Sequence, residues 1–185
     1  MIAGIGCRAG VSGEQVAAAI DAAIAALTVA ANPAMSTTEG LTAGTPGRAA
    51  AQAPHHLTAI ATAAPKAAER GIQEAANARG VPVLAIAQPE LEAADGSTVT
   101  RSTHSMAAMN VQSVAEAAAL AGALATAASE ATRASAAAVA GAAAVAGAAA
   151  PTNAAGLAPE RTARLLLPRI TVGPVTCALA DTTSP

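Results

Sequence analysis

A chain of 185 residues and 17.5 kDa is the size of one ordinary domain, with no room for a second full one. Hydrophobic residues make up 53% and charged residues 12%, yet Phe, Tyr and Trp are absent and about a third of the chain is Ala. The core must therefore be aliphatic, and stacking on aromatic rings, the usual grip on single strands and purines, is excluded. Ten Lys and Arg against twelve Asp and Glu leave a net charge of −2, too little positive charge for a binder of phosphate backbones, so nucleic acid is not an expected partner.

Ile2 to Arg8 is a short apolar run ending in Gly and charge, as in a buried strand entering a loop. Ser12-Gly-Glu-Gln15 has the form of a capping box, and Val16, Ile20, Ile24 and Leu27 then recur at helical spacing, so one side of that helix should face a sheet. Residues 30–55, with Asn32-Pro33 and Thr45-Pro46-Gly47, read as a long flexible loop. Leu57 to Thr62 is a second strand, followed by Pro65-Lys66 and a helix stopped near Arg79-Gly80. Val81 to Ala87 is a third strand. Strands and helices alternating at this spacing predict parallel pairing with crossover helices.

Gln88 to Gln112 is polar and reads as irregular, ending at Ser113-Val-Ala-Glu116, a second capping box that opens a helix through at least Leu124. Residues 126–162 are a low-complexity insert. Its stretch from Ala134 to Ala150 carries no charge, but Ala contributes little to membrane partitioning, and a surface helix or a disordered segment is the expectation rather than a membrane span. Ala163 to Pro168 and Pro174 to Ala180 are two apolar runs about five residues apart, which predicts a hairpin. The sum is a single α/β domain of three layers, α/β/α, around a mixed, mostly parallel five-stranded sheet ending in an antiparallel hairpin.

Gly4-x-Gly6-x-x-Ala9 matches the dinucleotide fingerprint, but its glycines fall inside the strand and no acid ends the second strand to hold a ribose. No nucleotide cofactor is expected. His55, His56 and His104 lack Cys, Asp or Glu at ligand spacing, so no metal site is expected either. Cys7 precedes a helix start and adjoins Arg8, both of which lower a thiol pKa; it is a possible nucleophile or a small buried strand-end residue. Cys177 reads as core. Two Cys make no disulfide framework, and no signal peptide is read at the start, so a cytoplasmic location is expected. Lys66 follows the second strand, where ligands collect in open α/β sheets, although a helix-start Lys is also an ordinary solvated residue.

Five segments in order resemble the CobE/CbiG C-terminal family of cobalamin biosynthesis, in its stand-alone form. These are Gly4-Ile-Gly-Cys-Arg8; Ala59-Ile-Ala-Thr62 through Lys66 and Gly71; Ser113-Val-Ala-Glu-Ala-Ala-Ala-Leu120; Leu165-Leu-Leu-Pro-Arg169; and Val175 to Ala180. With what lies between them outside the inserts at 30–55 and 126–162, they cover roughly 110 of the 185 residues. Two departures stand out: Ala64-Pro65 occupy the place where the family often has an acid before the Lys, and Arg169 stands where its hairpin commonly has Lys.

The resemblance implies a place in making the corrin ring and a ligand-binding set of Gly4, Gly6, Cys7, Arg8, Lys66, Ser113, Glu116 and Arg169. Its implied partner is a carboxylate-rich tetrapyrrole, with other enzymes of the pathway as further partners. Two-part members of the family open a δ-lactone on a cobalt-precorrin, so a hydrolase using Cys7, Lys66 or Glu116 is the alternative to a binding protein. A non-catalytic partner of another pathway enzyme is a third. Acetate and propionate carboxylates would suit the helix starts near Ser12, Lys66 and Ser113 together with the charges of Arg8, Lys66 and Arg169.

Overall fold

The computed structural model describes residues 1–31, 56–145 and 162–183. In chain order they form β1 (Ile2–Cys7), α1 (Gly13–Ala31), β2 (Ala59–Ala63), a 3-10 turn (Ala64–Lys66), α2 (Arg70–Arg79), β3 (Val83–Ile86), α3 (Gln88–Asp95), α4 (Thr103–Met109), α5 (Val114–Val145), β4 (Thr162–Val172) and β5 (Val175–Thr183). The five strands lie in the order β3-β2-β1-β5-β4. β1, β2 and β3 pair in parallel, and β5 runs against both β1 and β4, so only β5 opposes the common direction.

Local chemistry accounts for the element ends. At α1 the Ser12 hydroxyl accepts from the Gln15 amide at 3.3 Å and Gln15 Oε1 accepts from the Ser12 amide at 3.0 Å, a complete capping box. α2 stops at Gly80, whose φ of 64° is the left-handed conformation that Gly adopts without steric cost. The period-2 alternation of β1 and β2 then divides the core. Ala3, Ile5 and Ile60 face α1 and α2, while Ile2, Gly4, Ala59 and Ala61 face α5 and, beyond it, α3. α1 has the length and apolar content of a membrane-crossing helix, yet Val16, Ala19, Ile20, Ala23 and Leu27 are buried in the first core.

Two segments differ from the sequence expectation, and in a third, α5, the helical one of two alternatives is found. Residues 88–112 hold two short helices, α3 and α4; Leu91 anchors α3 in the core, but its weak periodicity hides among polar neighbours. α5 continues far past Leu124. Its burial ends near Ala127; the turns from Ala128 to Ala136 are mostly exposed and rest on the helix propensity of Ala, the highest of any residue, and the backbone of the insert is regular helix up to Val145. The closing hairpin has a tight Gly173-Pro174 turn, because Arg169 to Val172 extend β4. Residues 32–55, including the loop reading there and His55, and residues 146–161 lie outside the described residues.

Candidate functional site

A cavity of about 400 Å³ opens at the carboxyl ends of the paired strands β1 and β2, with the β4–β5 hairpin beside them. Open α/β sheets bind ligands outside the carboxyl ends of their parallel strands. β1 contributes Gly6, Cys7 and the following Arg8; β2 and its turn contribute Thr62, Ala63, Pro65 and Lys66. Arg169, Thr171 and Thr176 come from the hairpin, and Ser102, His104, Ser105, Ala108 and Met109 from α4 and its cap. Among the described residues, four of the lining side chains are basic and none is a carboxylate.

The strand ends are fixed by hydroxyls. Thr62 Oγ1 donates to the Ile5 carbonyl and Thr176 Oγ1 to the Gly6 carbonyl, each at 2.9 Å. A side chain at position 6 would bring its Cβ to 2.7 Å from Thr176 Oγ1, so Gly at that point leaves the hydroxyl its place. Lys66 Nζ lies 3.3 Å from Glu69 Oε2, while Glu69 Oε1 accepts from the Gly10 amide at 2.7 Å. Glu69 thus ties the loop after β1 to the turn after β2. The Gly10 hydrogen bond first, and the Lys66 ammonium second, hold its carboxyl below the usual carboxylate range. Arg8 and Arg169 have no ion-pair partner for their side chains among the described residues.

Cys7 is half-buried in the cavity wall, and burial pushes its thiol pKa up, outweighing the lowering by Lys66. The activation expected from Arg8 and the following helix is absent, because desolvation of the thiolate dominates. Cys177, on β5, is buried in the core on the α1/α2 side, its pKa pushed up to about 12 by the same cause, as its core reading anticipates.

Gly4, Ser113 and Glu116 are not among the cavity's lining residues. A Cβ on Gly4 would collide with the Ala115 carbonyl, so Gly there lets the α5 backbone lie against β1. Ser113 is buried and accepts from the Glu116 amide at 3.5 Å, half of the expected box. The Glu116 carboxylate turns elsewhere. It accepts from the Val99 and Thr100 amides at 2.6 and 3.1 Å, from Thr100 Oγ1 at 2.7 Å and from the Arg169 amide at 2.9 Å. Burial alone would raise its pKa, but these four donors, the Arg169 amide foremost, bring it below the ordinary value. Glu116 thereby anchors the β4 bulge between Leu167 and Ile170, from which Arg169 reaches the cavity.

Of the predicted set, the structure gathers Gly6, Cys7, Arg8, Lys66 and Arg169 around one cavity. Sequence reasoning left His104 as a surface residue and did not weigh Glu69, Ser102, Ser105, Thr171 or Thr176. Only Glu69 gave a local signal, an acid three residues after Lys66 on the way into α2. The serines and His104 arrive through α4, which read as irregular chain.

The fold and cavity define a mixed α/β protein with a basic cleft, free of Phe, Tyr and Trp, at its sheet's carboxyl edge. The family model for the cobalamin synthesis G C-terminus matches residues 1–140, and the chain belongs to that family. Among solved structures it resembles CobE, a protein from the cobalamin (vitamin B12) biosynthetic pathway, with a TM-score of 0.55 and 24% identity over 99% of this chain and 92% of that one. It also resembles cobalamin biosynthesis protein chiG from Agrobacterium tumefaciens str. C58, with a TM-score of 0.52 and 27% identity over 99% and 98% of the two chains. No curated protein matches it. The sequence resemblance is thus borne out, and the chain is a cobalamin biosynthesis protein of the CobE/CbiG family.

Proposed function

We propose that the protein binds a carboxylate-rich corrin-ring intermediate in this cavity and holds it without chemical change. The observation that carries the reading is the wall itself: Arg8, Lys66, Arg169 and His104 without a lining carboxylate, in a chain whose net charge is −2. Positive charge gathered against the overall balance suits an anionic ligand, and charge-assisted hydrogen bonds to carboxylates are about twice as strong as neutral ones. The macrocycle would rest mainly on small aliphatic groups, since the chain has no Phe, Tyr or Trp and His104 is the one aromatic ring among the described lining residues.

Two features favour holding over hydrolysis. The Cys7 thiol is kept protonated by burial, and the Glu116 carboxylate is saturated by four donors, so neither is poised as a nucleophile or general base.

The test is an absorbance titration with a cobalt corrin heptacarboxylic acid and, as the uncharged control, its heptamethyl ester. The chain has no Phe, Tyr or Trp, so absorbance above 270 nm comes from the ligand. The acid should bind one per chain with a spectrum stable over hours, and the ester should not. Replacing Lys66 and Arg169 together by Ala should weaken binding about tenfold or more. With a corrin precursor that still carries the δ-lactone in place of the acid, a spectrum that changes with time would overturn the carrier in favour of the lactone hydrolase. No binding by the acid would leave docking on another pathway enzyme as the reading.

A further inference from the structure

Glu116 touches Arg169 without neutralising it. Its carboxylate accepts from the Arg169 amide at 2.9 Å, while the guanidinium, a stronger donor, has no ion-pair partner among the described residues and is left to the cavity. The backbone at Arg169 needs such a hold. Leu167 pairs with Leu179 and Ile170 with Cys177, so Pro168 and Arg169 together oppose Ala178. A bulge of this kind interrupts the ladder and re-aims a side chain. β4 is also an edge strand, so no second strand fixes the bulge from the other side. Ile170 packs on the α1/α2 side and Thr171 lines the cavity, which puts Arg169, one residue before Ile170, on the cavity side too.

Glu116 itself is firmly placed, buried in the first turn of α5 with its remaining donors supplied by Val99 and Thr100. From this division of one arginine between two partners, and resting on the corrinoid reading above, we propose that Glu116 is a positioning residue of the anion site: by taking the Arg169 amide it fixes the bulge so that the guanidinium is held in the cavity for a ligand carboxylate. The sign of a substitution separates this role from plain electrostatics. Glu116→Gln removes a negative charge near the site, which by itself would tighten the binding of an anion. The new side chain keeps its carbonyl on the Val99 and Thr100 amides, because the Thr100 hydroxyl can turn to accept and the amides cannot. Its NH₂ then meets the Arg169 amide, donor against donor, so loss of positioning weakens binding instead.

The test titrates the cobalt corrin heptacarboxylic acid into the whole protein as wild type, Glu116→Gln, Arg169→Ala, Lys66→Ala and the two double variants that join Glu116→Gln to each of the others, with circular dichroism to show that each is folded at the assay temperature. If the wild type does not bind, the corrinoid reading fails and this proposal falls with it. If it binds, Glu116→Gln should weaken binding about threefold to tenfold, as much as Arg169→Ala does. It should add less than about twofold on top of Arg169→Ala, but multiply with Lys66→Ala, whose charge is held elsewhere. Binding by Glu116→Gln as tight as wild type or tighter, or a loss that multiplies with Arg169→Ala, would overturn the positioning role and leave the corrinoid reading standing. Where Glu116→Gln fails to fold, protein ligated with an ester in place of the Pro168–Arg169 amide decides, since it removes that one donor and keeps both side chains. It should bind as weakly as Arg169→Ala, and unchanged affinity would overturn the proposal.

Discussion

On the α1/α2 side of the sheet, Ile5, Ile60, Val16, Ile20, Leu27 and Ile72 fill space with branched side chains; on the α5 side the same strands present Ile2, Gly4, Ala59 and Ala61 to Ala115, Ala118, Ala119 and Gly122. Both sides are buried. The first gains its contacts from side-chain volume, the second from bringing the α5 backbone close to the strands. A Cβ on Gly122 would already lie 2.8 Å from the Ala61 Cβ. A chain rich in Ala and devoid of aromatics can therefore keep an interior without voids, provided that one face stays small. The two faces should fail in opposite ways, by truncation on one and by enlargement on the other.

Unfolding in urea followed by helical circular dichroism is the measurement, since the chain has no Trp or Tyr to report by fluorescence. Ile60→Ala should cost the most, about 2–5 kcal/mol, because it opens a void among fully buried side chains. Gly4→Ala should cost about 1–3 kcal/mol although it adds one methyl group, since the obstacle is the backbone carbonyl of Ala115. A neutral outcome there would remove the close-approach account of the α5 face. Gly122→Ala is the finer probe. The added Cβ would lie 2.8 Å from the Ala61 Cβ, which is fixed to the buried β2 backbone, so the helix must shift. The gain in helix propensity of about 1 kcal/mol offsets part of a cost of about 1–3 kcal/mol, leaving a smaller net loss than Gly4→Ala.

Glu116 sharpens the comparison at the point where the α5 face meets the cavity. Glu116→Gln should cost about 1–3 kcal/mol at neutral pH, because an amide NH₂ replaces one acceptor oxygen before amide donors. The sign with pH follows from linkage. The folded carboxyl titrates below its unfolded value, so its contribution is complete above about pH 4.3 and is lost as the pH falls through the folded pKa. The gap between wild type and variant should therefore close on acidification below that point, and a gap constant with pH would mean that ionised Glu116 is not the clasp. The smallest expected effect is kinetic: at pH 8 a thiol reagent should label half-buried Cys7 before buried Cys177.

Much of this was legible in the linear chain. β1, β2 and β3 announced themselves as apolar runs between Gly, Pro and charge, α1 by its aliphatic spacing and its Ser12/Gln15 box, and α2 by the stop at Gly80. Gly6, Cys7, Arg8 and Lys66 could be placed near one another because they follow adjacent parallel strands. The reading faltered where the governing contacts are distant in sequence. α3 and α4 carry little apolar periodicity of their own. The four residues from Ser113 to Glu116 spelled a capping box, yet the carboxylate found better donors 16, 17 and 53 residues away.

The sequence by itself determined the aliphatic core, the order of the strands with α1, α2 and the start of α5, the hairpin and the family, because these rest on composition, local periodicity and the geometry of adjacent elements. Only the tertiary structure decided which of the short polar motifs face the cavity. Gly4, Ser113 and Glu116 stand in the packing, while His104 and the hairpin threonines stand in the wall, because the destination of a polar side chain depends on which donors the fold brings within about 3 Å of it and on how much water the fold leaves there.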